Sequence, residues 1–443
     1  MRLEGPASSA AAAAALLALV GAAPRAGAAA PLTTWVRTNL TAPCLDGSAA
    51  ALYVKPGAGA DADKVILFWE GGGWCLSLED CLARSNTTLG SSLAYPPHTT
   101  GYSVRDLLLP DCAVNPRFCN YASAYAPYCD GASRSSRAAE PVVVDGKPLY
   151  FRGFDVLAAT VDALLAGAGG LLPPLSATSE LVVSGSSAGG LTTLLHLDYV
   201  AGRAQGANPA LRVAGVPEVG FFVDAASIWD GRHVYTEMYQ RVAEFGNVSG
   251  GLPEQVNADC AAAYPAEEDR WHCFMAQYTY PHVRTPTFLL QSQVDEWQAQ
   301  NILAPDLDTS VSVHTYAPFA PCILHPGPPG QGGSQCNATQ WAQWSGYAAQ
   351  FFAALNASIA ATPPDVLARS GGVITSCPIH TTAISGKSHS IVVGGRSMYD
   401  WLVAWYDGGA PKEGGAWTLD LPWPGDKSCP LPGGAEKNFR EGF

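Results

Sequence analysis

Charged residues are scarce in this chain of 443 residues, and basic residues are the scarcer kind: 25 Lys and Arg stand against 38 Asp and Glu. The formal net charge of −13 argues against binding of nucleic acid and against electrostatic binding to anionic membranes, because both select cationic protein surfaces. A polyanionic ligand is not favoured either, since like charges repel. A polyanion would need a neutralised stretch or a local basic patch that the sequence does not reveal.

Two further features are missing, a long apolar run and a closely spaced cysteine pair. Beyond the N-terminal region no run reaches the roughly 18 apolar residues that span a bilayer, so we expect no membrane anchor. The cysteines show no CxxC spacing of the kind that holds zinc, and we expect no metal and no cofactor. There is no internal repeat and no interdomain linker, and α/β enzymes of this length often form one unit.

The N-terminus has the pattern of a secretory signal peptide. Arg2 precedes a short apolar run, Ala10–Val20, and the small residues Ala26-Gly-Ala28 suit a cleavage site. An alanine-rich leader or an organelle transit peptide is the alternative. We predict a signal peptide over 1–28, a single domain over 29–443, and a secreted, extracellular or cell-wall protein.

Cysteines and glycosylation motifs support secretion. The chain has twelve scattered cysteines, an even number typical of disulfide-bonded extracellular proteins. Cys322 and Cys336 bound a Gly/Pro-rich loop, and Cys260 and Cys273 suit a similar local disulfide. Five Asn-x-Ser/Thr sequons are candidate glycosylation sites: Asn39, Asn86, Asn247, Asn337 and Asn356.

The segment Gly185–Gly189 reads Gly-Ser-Ser-Ala-Gly, a match to the Gly-x-Ser-x-Gly nucleophile elbow. A short β-branched run, Ser179–Ser184, precedes it, and leucines at helical spacing follow from Leu191 to Leu197. A strand, a tight turn and a helix are what a serine hydrolase needs to raise one hydroxyl above a sheet. The bare motif is common and also fits a β–α connection without chemistry. Its setting favours Ser187 as a nucleophile.

A glycine-rich loop upstream is a candidate oxyanion hole. The apolar strand Val65–Trp69 runs directly into Glu70–Cys75, which reads Glu-Gly-Gly-Gly-Trp-Cys. Three successive glycines leave backbone N–H groups accessible, and the residue after the nucleophile, Ala188, supplies another donor in α/β-hydrolases. An ordinary Gly-rich turn is the alternative interpretation.

In such enzymes the acid and the histidine follow the serine in that order. The apolar run Pro286–Ser292 predicts a third strand, and Asp295 comes just after it. A fourth predicted strand, Gly372–Cys377, is followed within three residues by His380. Both side chains are therefore expected beyond strand ends, where the loops of a sheet converge.

Other residues could fill the same roles. Glu296, adjacent to Asp295, and Asp224, which follows a short apolar run, are rival acids. The rival histidines are His314, His325 and His389, the last in a polar loop between two serines. None of the rivals follows a predicted strand as closely as Asp295 and His380 do.

The chain resembles the pectin acetylesterase/Notum family of secreted α/β-hydrolases, and the matching segments extend over most of the mature chain. The matching segments are Cys44–Ser48, Glu70–Cys75, Leu89–Ser92, Asn115–Pro116, Tyr128–Gly131, Tyr150–Gly153, Gly185–Gly190, Gly220–Asp224, Asp295–Gln298, Asn301–Pro305 and Ser376–Cys377 with His380. The glycine loop is closer to the plant pectin acetylesterases than to Notum. Thr381 stands where the family usually has Cys, and residues 132–147 depart from its pattern.

The resemblance implies an α/β fold with a mostly parallel central sheet and helices on both faces, which the alternation of short strands and helices also favours. It implies Ser187 as nucleophile, Asp295 as acid and His380 as base. It also implies an oxyanion hole formed by the N–H groups of Gly72, Gly73 and Ala188.

We therefore expect a monomeric secreted serine carboxylesterase that hydrolyses acetyl esters of a polysaccharide, cell-wall pectin, through an acyl-enzyme. One alternative is a Notum-like deacylase that removes a fatty acyl group from a secreted protein, which needs a deep apolar cavity. An alternative of another class is an inactive carbohydrate-binding relative.

Overall fold

A ten-stranded sheet is the framework of the chain. The computed structural model describes residues 33–248, 253–305, 318–330, 334–383, 386–408, 415–421 and 423. The strands among these residues are β1 (Trp35–Pro43), β2 (Ala49–Lys55), β3 (Lys64–Trp69), β4 (His98–Thr99), β5 (Ala122–Ala126), β6 (Val142–Val144), β7 (Lys147–Leu149), β8 (Glu180–Ser186), β9 (Arg212–Glu218), β10 (Phe288–Ser292), β11 (Gly371–Thr375), β12 (Val392–Val393), β13 (Arg396–Ser397) and β14 (Ala416–Leu419).

The α-helices lie mostly between these strands. They are α1 (Leu78–Arg84), α2 (Gly153–Leu165), α3 (Ala188–Ala207), α4 (Val234–Phe245), α5 (Ala258–Ala263), α6 (Ala276–Thr279), α7 (Glu296–Gln298), α8 (Ala320–Leu324), α9 (Ala338–Ala361), α10 (Pro364–Leu367), α11 (Lys387–Ser390) and α12 (Met398–Asp407). No helix in the described ranges is both long and apolar enough to cross a membrane.

The strand order is β14-β11-β10-β9-β8-β3-β5-β2-β1-β4. Neighbours from β14 to β5 pair in parallel, whereas β2, β1 and β4 extend the sheet with antiparallel pairings. The predicted mostly parallel α/β sheet is confirmed. The antiparallel extension was not predicted, because β1 and β2 are joined directly and carry no motif.

Helices cover both faces, as the alternation of side chains along β8 shows. Leu181 and Val183 point into a core shared with α2 and α3, and Val182 points into a core shared with α12. All three are fully buried. Because successive strand residues face opposite sides, a continuous apolar run such as that of β8 requires a helix layer on each side.

A third core, over the carboxyl ends of the parallel strands, contains the aromatic stripe of α9. Trp344, Tyr347 and Phe351 are fully buried there, while Trp341 and Phe352 are half-buried. These aromatic side chains therefore pack mainly into the core, as their helical spacing favours.

The structure contains five disulfides within the described residues, including both local candidates, Cys260–Cys273 and Cys322–Cys336. The other three are Cys44–Cys129, Cys75–Cys81 and Cys112–Cys119. Cys377 is also disulfide-bonded. Sequence alone could not select the pairs Cys44–Cys129, Cys75–Cys81 and Cys112–Cys119, since connectivity depends on which loops meet in space.

The five sequon asparagines differ in exposure. Four sequon asparagines are exposed, namely Asn39, Asn86, Asn337 and Asn356. Asn247 is half-buried, and its Nδ2 donates to the carbonyl of Arg137 at 3.2 Å. The predicted signal peptide, 1–28, lies outside the described residues, and the assignment of 29–443 to one domain stays a prediction.

The start of α3 lies unusually close to the sheet. A Cβ on Gly190 would be 2.3 Å from the carbonyl oxygen of Glu218, whereas a Cβ on Gly202, farther along the same helix, would have no neighbour within 4 Å. Backbone rather than a flexible side chain fills the space beside Gly190, so the helix could accept a methyl group there only by moving away from the strand.

We predict that Gly190→Ala destabilises the protein by about 1–3 kcal/mol or more through overpacking. Gly202→Ala is the matched control and should be neutral or stabilising by up to about 1 kcal/mol, because alanine favours the helix. Urea unfolding of the two purified variants measures the difference. Equal stability of the two would show that the close helix–strand contact has no energetic role.

Candidate active site

Ser187 lies in a strained turn between β8 and α3. Its backbone has φ 59° and ψ −125°, a conformation that non-glycine residues rarely adopt. The flanking residues must be glycines: a Cβ on Gly185 would lie 2.4 Å from the carbonyl oxygen of Gly189, and one on Gly189 would lie 2.0 Å from that of Trp69. The turn lifts the Ser187 side chain beyond the strand ends, where it is half-buried.

The structure brings Ser187, His380 and Asp295 together in one chain of hydrogen bonds. Ser187 Oγ is 2.8 Å from His380 Nε2. His380 Nδ1 is 2.9 Å from both carboxylate oxygens of Asp295. The three residues follow β8, β11 and β10, which belong to the same parallel sheet, with β9 between β8 and β10. This order of contacts allows the imidazole to take a proton from the hydroxyl while the carboxylate orients the ring.

Asp295 is held rigidly. It is 0% exposed, and its Oδ1 accepts hydrogen bonds from the backbone N–H groups of Trp297 at 2.8 Å and Gln298 at 3.0 Å. Asp295 is thus the N-cap of α7.

The glycine loop after β3 packs directly against the elbow. A Cβ on Gly71 would lie 2.8 Å from the Cβ of Ser187, so only glycine allows this approach. Gly72 and Gly73 have φ values of 154° and 65°. Ala188 is the first residue of α3, and the first N–H groups of a helix lack intrahelical acceptors. The expected oxyanion-hole residues are therefore near the serine, and their role stays a prediction.

The rival residues occupy other places. His389 lies against the ring of Tyr399, with 4.2 Å between ring centroids. Asp224 Oδ1 contacts His233 Nδ1 and accepts from Thr236 Oγ1, each at 2.5 Å. His325 follows α8 and bonds through its backbone to Pro321. His314 lies outside the described residues.

The rival acid Glu296 lies beside His380 but bonds to its backbone rather than to its ring. Its Oε1 accepts from the backbone N–H of His380 at 3.3 Å, whereas the ring nitrogen bonds to Asp295. Burial, aided by the Asp295 charge and opposed by His380, raises the pKa of Glu296 to about 7. Glu296 is thus a second carboxyl group close to His380, and the charge of Glu296 changes near neutral pH.

Residues 132–147, which depart from the family pattern, contact the elbow through Ser133. Ser133 Oγ donates to the carbonyl of Ala188 at 2.9 Å and accepts from Trp74 Nε1 at 2.8 Å. The neighbouring Arg134, 0% exposed, donates to the carbonyls of Ala126 at 2.7 Å and Pro127 at 2.9 Å. Sequence reasoning missed both residues because serine and arginine in a polar segment usually predict a solvated loop.

Aromatic side chains line one side of the site and form what we call the aromatic wall: Trp74, Phe222, Tyr235, Tyr239 and Trp297. Trp74 makes edge-to-face contacts with Phe222 and Tyr239, each at 4.9 Å, and with Trp297 at 5.6 Å between centroids. Trp297 also stacks on the imidazole of His380 at 5.6 Å. All members except the half-buried Trp297 are at most 3% exposed.

The family model described as Pectinacetylesterase matches residues 27–430. Pectin acetylesterase 11 of Arabidopsis thaliana is 29% identical over 349 residues, which cover 78% of this chain and 78% of that protein. The palmitoleoyl-protein carboxylesterase NOTUM of Homo sapiens is 32% identical over 277 residues, covering 59% of this chain and 50% of that protein.

Among solved structures, the Wnt deacylase Notum from Drosophila has a similar fold. The TM-score is 0.67 at 22% identity, and the match covers 90% of this chain and 99% of that one. At this identity the likeness concerns the fold alone, whereas the family model spans nearly the whole chain. The chain therefore belongs to the pectinacetylesterase family of carboxylic ester hydrolases.

Proposed function

We propose that the protein is a secreted serine esterase that removes acetyl groups from pectin. The observation that carries the proposal is the continuous contact from Ser187 Oγ through the His380 imidazole to the buried Asp295 carboxylate. A protein that only bound carbohydrate would have no need for this arrangement, which counts against an inactive relative.

In the proposed reaction, His380 Nε2 takes the proton of Ser187 as the serine oxygen attacks the ester carbonyl. The tetrahedral intermediate collapses to an acetyl-serine, and His380 gives the proton to the departing sugar oxygen. Water, activated by the same histidine, then releases acetate and restores the serine. Asp295 keeps its charge and holds the imidazole in the required tautomer.

The negative oxygen of the intermediate would be stabilised by backbone N–H groups. The candidates are those of Gly72 and Gly73 in the loop after β3 and that of Ala188 at the start of α3. The partial positive charge of a helix N-terminus adds to the stabilisation. The close packing of Gly71 on Ser187 supports placing these groups on the same side as the attacked carbonyl.

The aromatic wall favours a small acyl group over a fatty one. Its paired ring centroids are 4.9–6.2 Å apart, and the rings lie beside His380. A long acyl chain needs a deep apolar cavity, whereas beside His380 four of these five side chains are at most 3% exposed and pack against one another. This observation supports an acetyl substrate rather than the lipid substrate of a Notum-like deacylase.

The polymer and the location follow from relatives and sequence. The Arabidopsis relatives are called pectin acetylesterases, which supports acetylated pectin as the substrate. The N-terminal signal pattern, the five disulfides and the exposed sequon asparagines all suit an extracellular protein. We propose that it works as a monomer in the cell wall or extracellular space.

We predict that Ser187→Ala and His380→Ala each lower turnover of p-nitrophenyl acetate, by on the order of 10⁶ for the nucleophile. His389→Ala is the matched control and should remain largely active, since that ring lies on Tyr399. Initial rates of purified variants with equal melting temperatures give the answer. A largely active His380→Ala together with an inactive His389→Ala would contradict the proposed base.

With p-nitrophenyl esters of increasing chain length, we expect kcat/KM to fall from acetate to octanoate and palmitate. Trp297→Ala removes a ring from the wall and should shift the preference towards longer chains, by up to about 0.8 kcal/mol per methylene newly buried. Trp401→Ala, a half-buried tryptophan on α12, is the control and should leave the order unchanged. Wild-type efficiency that rises with chain length would favour the fatty-acyl alternative.

Glu296 generates a prediction for the pH dependence of stability. Unfolded glutamate titrates at about 4.3, whereas the folded pKa is about 7. Between these values the folded state holds a proton that the unfolded state has lost, so this group lowers stability as pH rises through the window. The melting temperature of Glu296→Gln minus that of wild type should therefore be larger at pH 8 than at pH 5.

The exposed Glu268 provides a control for that measurement. Glu268→Gln should show nearly the same difference from wild type at both pH values. If Glu296→Gln also showed no pH-dependent gain, the carboxyl group would not be titrating in this range.

A further inference from the structure

Arg84 lies beside the glycine loop, at the end of α1. Its Nη1 donates to the carbonyl oxygen of Gly72 at 2.9 Å. A Cβ placed on Gly73 would meet one atom within 4 Å, the Arg84 Nη2 at 3.8 Å. The space in front of Gly73 is therefore open, and the guanidinium group borders it.

This guanidinium has a charge that the described residues do not neutralise by contact. No carboxylate oxygen of the described residues comes within 4.0 Å of it, whereas Arg117, Arg203 and Arg284 each form an ion pair. One carbonyl uses one of the five N–H donors of the group. Burial raises the pKa of the nearby Asp130 carboxyl, and the Arg84 charge opposes that rise, but the two side chains form no ion pair within 4.0 Å.

The guanidinium is also close to the reacting atoms. Gly71 packs on Ser187, and Gly73 is two residues farther on, at most about 7 Å along an extended chain. A group bound at Gly73 would therefore belong to the substrate itself, next to the ester under attack, rather than to a remote surface.

We propose that Arg84 binds a carboxylate of the substrate, on a uronic-acid unit next to the acetylated sugar. This inference rests on the proposed function for the identity of the polymer and adds the residue that recognises its charge. The planar guanidinium suits a carboxylate, since it can donate two parallel hydrogen bonds, which the ammonium of lysine cannot do. A methyl-esterified unit would offer no charge to this group.

The alternative is that Arg84 only fixes the glycine loop through the Gly72 carbonyl. That role would alter turnover of every ester alike, whereas carboxylate binding distinguishes charged from neutral ligands. The two roles are separable by measuring inhibition, because an inhibition constant for a competing ligand does not depend on the remaining turnover.

The test uses hydrolysis of p-nitrophenyl acetate by the full protein, inhibited by unacetylated trigalacturonate or by its methyl ester. We expect trigalacturonate to inhibit wild type, with the inhibition constant raised about tenfold in Arg84→Gln and less in Arg84→Lys. The constant for the methyl ester should be the same in wild type and Arg84→Gln.

Arg203→Gln is the matched control for net charge. Arg203 lies on α3, about 22 Å beyond Ala188 along the helix axis, and removing its charge should leave both constants unchanged. The proposal is overturned if trigalacturonate does not inhibit wild type, if Arg84→Gln weakens acid and methyl ester equally, or if Arg203→Gln has the same effect as Arg84→Gln.

Failure of the proposed function would look different. It would be seen as no release of acetate from acetylated pectin by an enzyme that hydrolyses p-nitrophenyl acetate. A charge-selective inhibition lost in Arg84→Gln would in that case still establish carboxylate binding at the glycine loop.

Discussion

The rest of this structure depends on the close packing of three backbone segments. These segments approach to within van der Waals contact at the carboxyl ends of β3, β8 and β9. Gly189 lies against the carbonyl of Trp69, Gly190 against that of Glu218, and Gly71 against Ser187. Any side chain at these positions would push α3 or the glycine loop away. The glycines thus determine how far the serine and the candidate oxyanion donors are separated, before any catalytic side chain is considered.

Once the elbow is fixed, the parallel sheet supplies the remaining groups. Strands β8, β9, β10 and β11 are successive neighbours, so the loops after them open at one edge, the usual place for a ligand in such sheets. Asp295 and His380 reach the serine from two of these loops. Buried polar contacts fix the positions of these groups, because loops without such contacts would be mobile. The N-cap bonds hold Asp295, and the bond of Ser133 to the Ala188 carbonyl holds the elbow.

The sequence predicted the parts of this site that depend on local pattern. The elbow, the glycine loop, Asp295 and His380 each follow a short apolar run, and every such run is a strand of the parallel sheet. What could not be predicted depends on which segments meet in space. Ser133 and Arg134 sit in a polar stretch, the Cys44–Cys129 disulfide joins residues 85 apart, and Arg84 ends a short helix with no motif. Ser133 bonds to residues 55 and 59 positions away, whereas the shortest hydrogen bonds of Arg134 and Arg84 join residues only 7 to 12 positions apart. The latter partners are backbone carbonyls, which periodicity does not identify.

Charge illustrates the same distinction between whole-chain properties and local structure. A net charge of −13 predicts repulsion of a polyanion, but that repulsion is screened beyond about 8–10 Å at physiological ionic strength. A substrate in the cleft therefore responds mainly to the groups it touches. Near the glycine loop the group in contact is the guanidinium of Arg84, with no carboxylate of the described residues within 4.0 Å. A low overall content of basic residues is thus compatible with an anionic substrate, provided that one cation is held beside the reacting ester and not paired with a carboxylate of the protein.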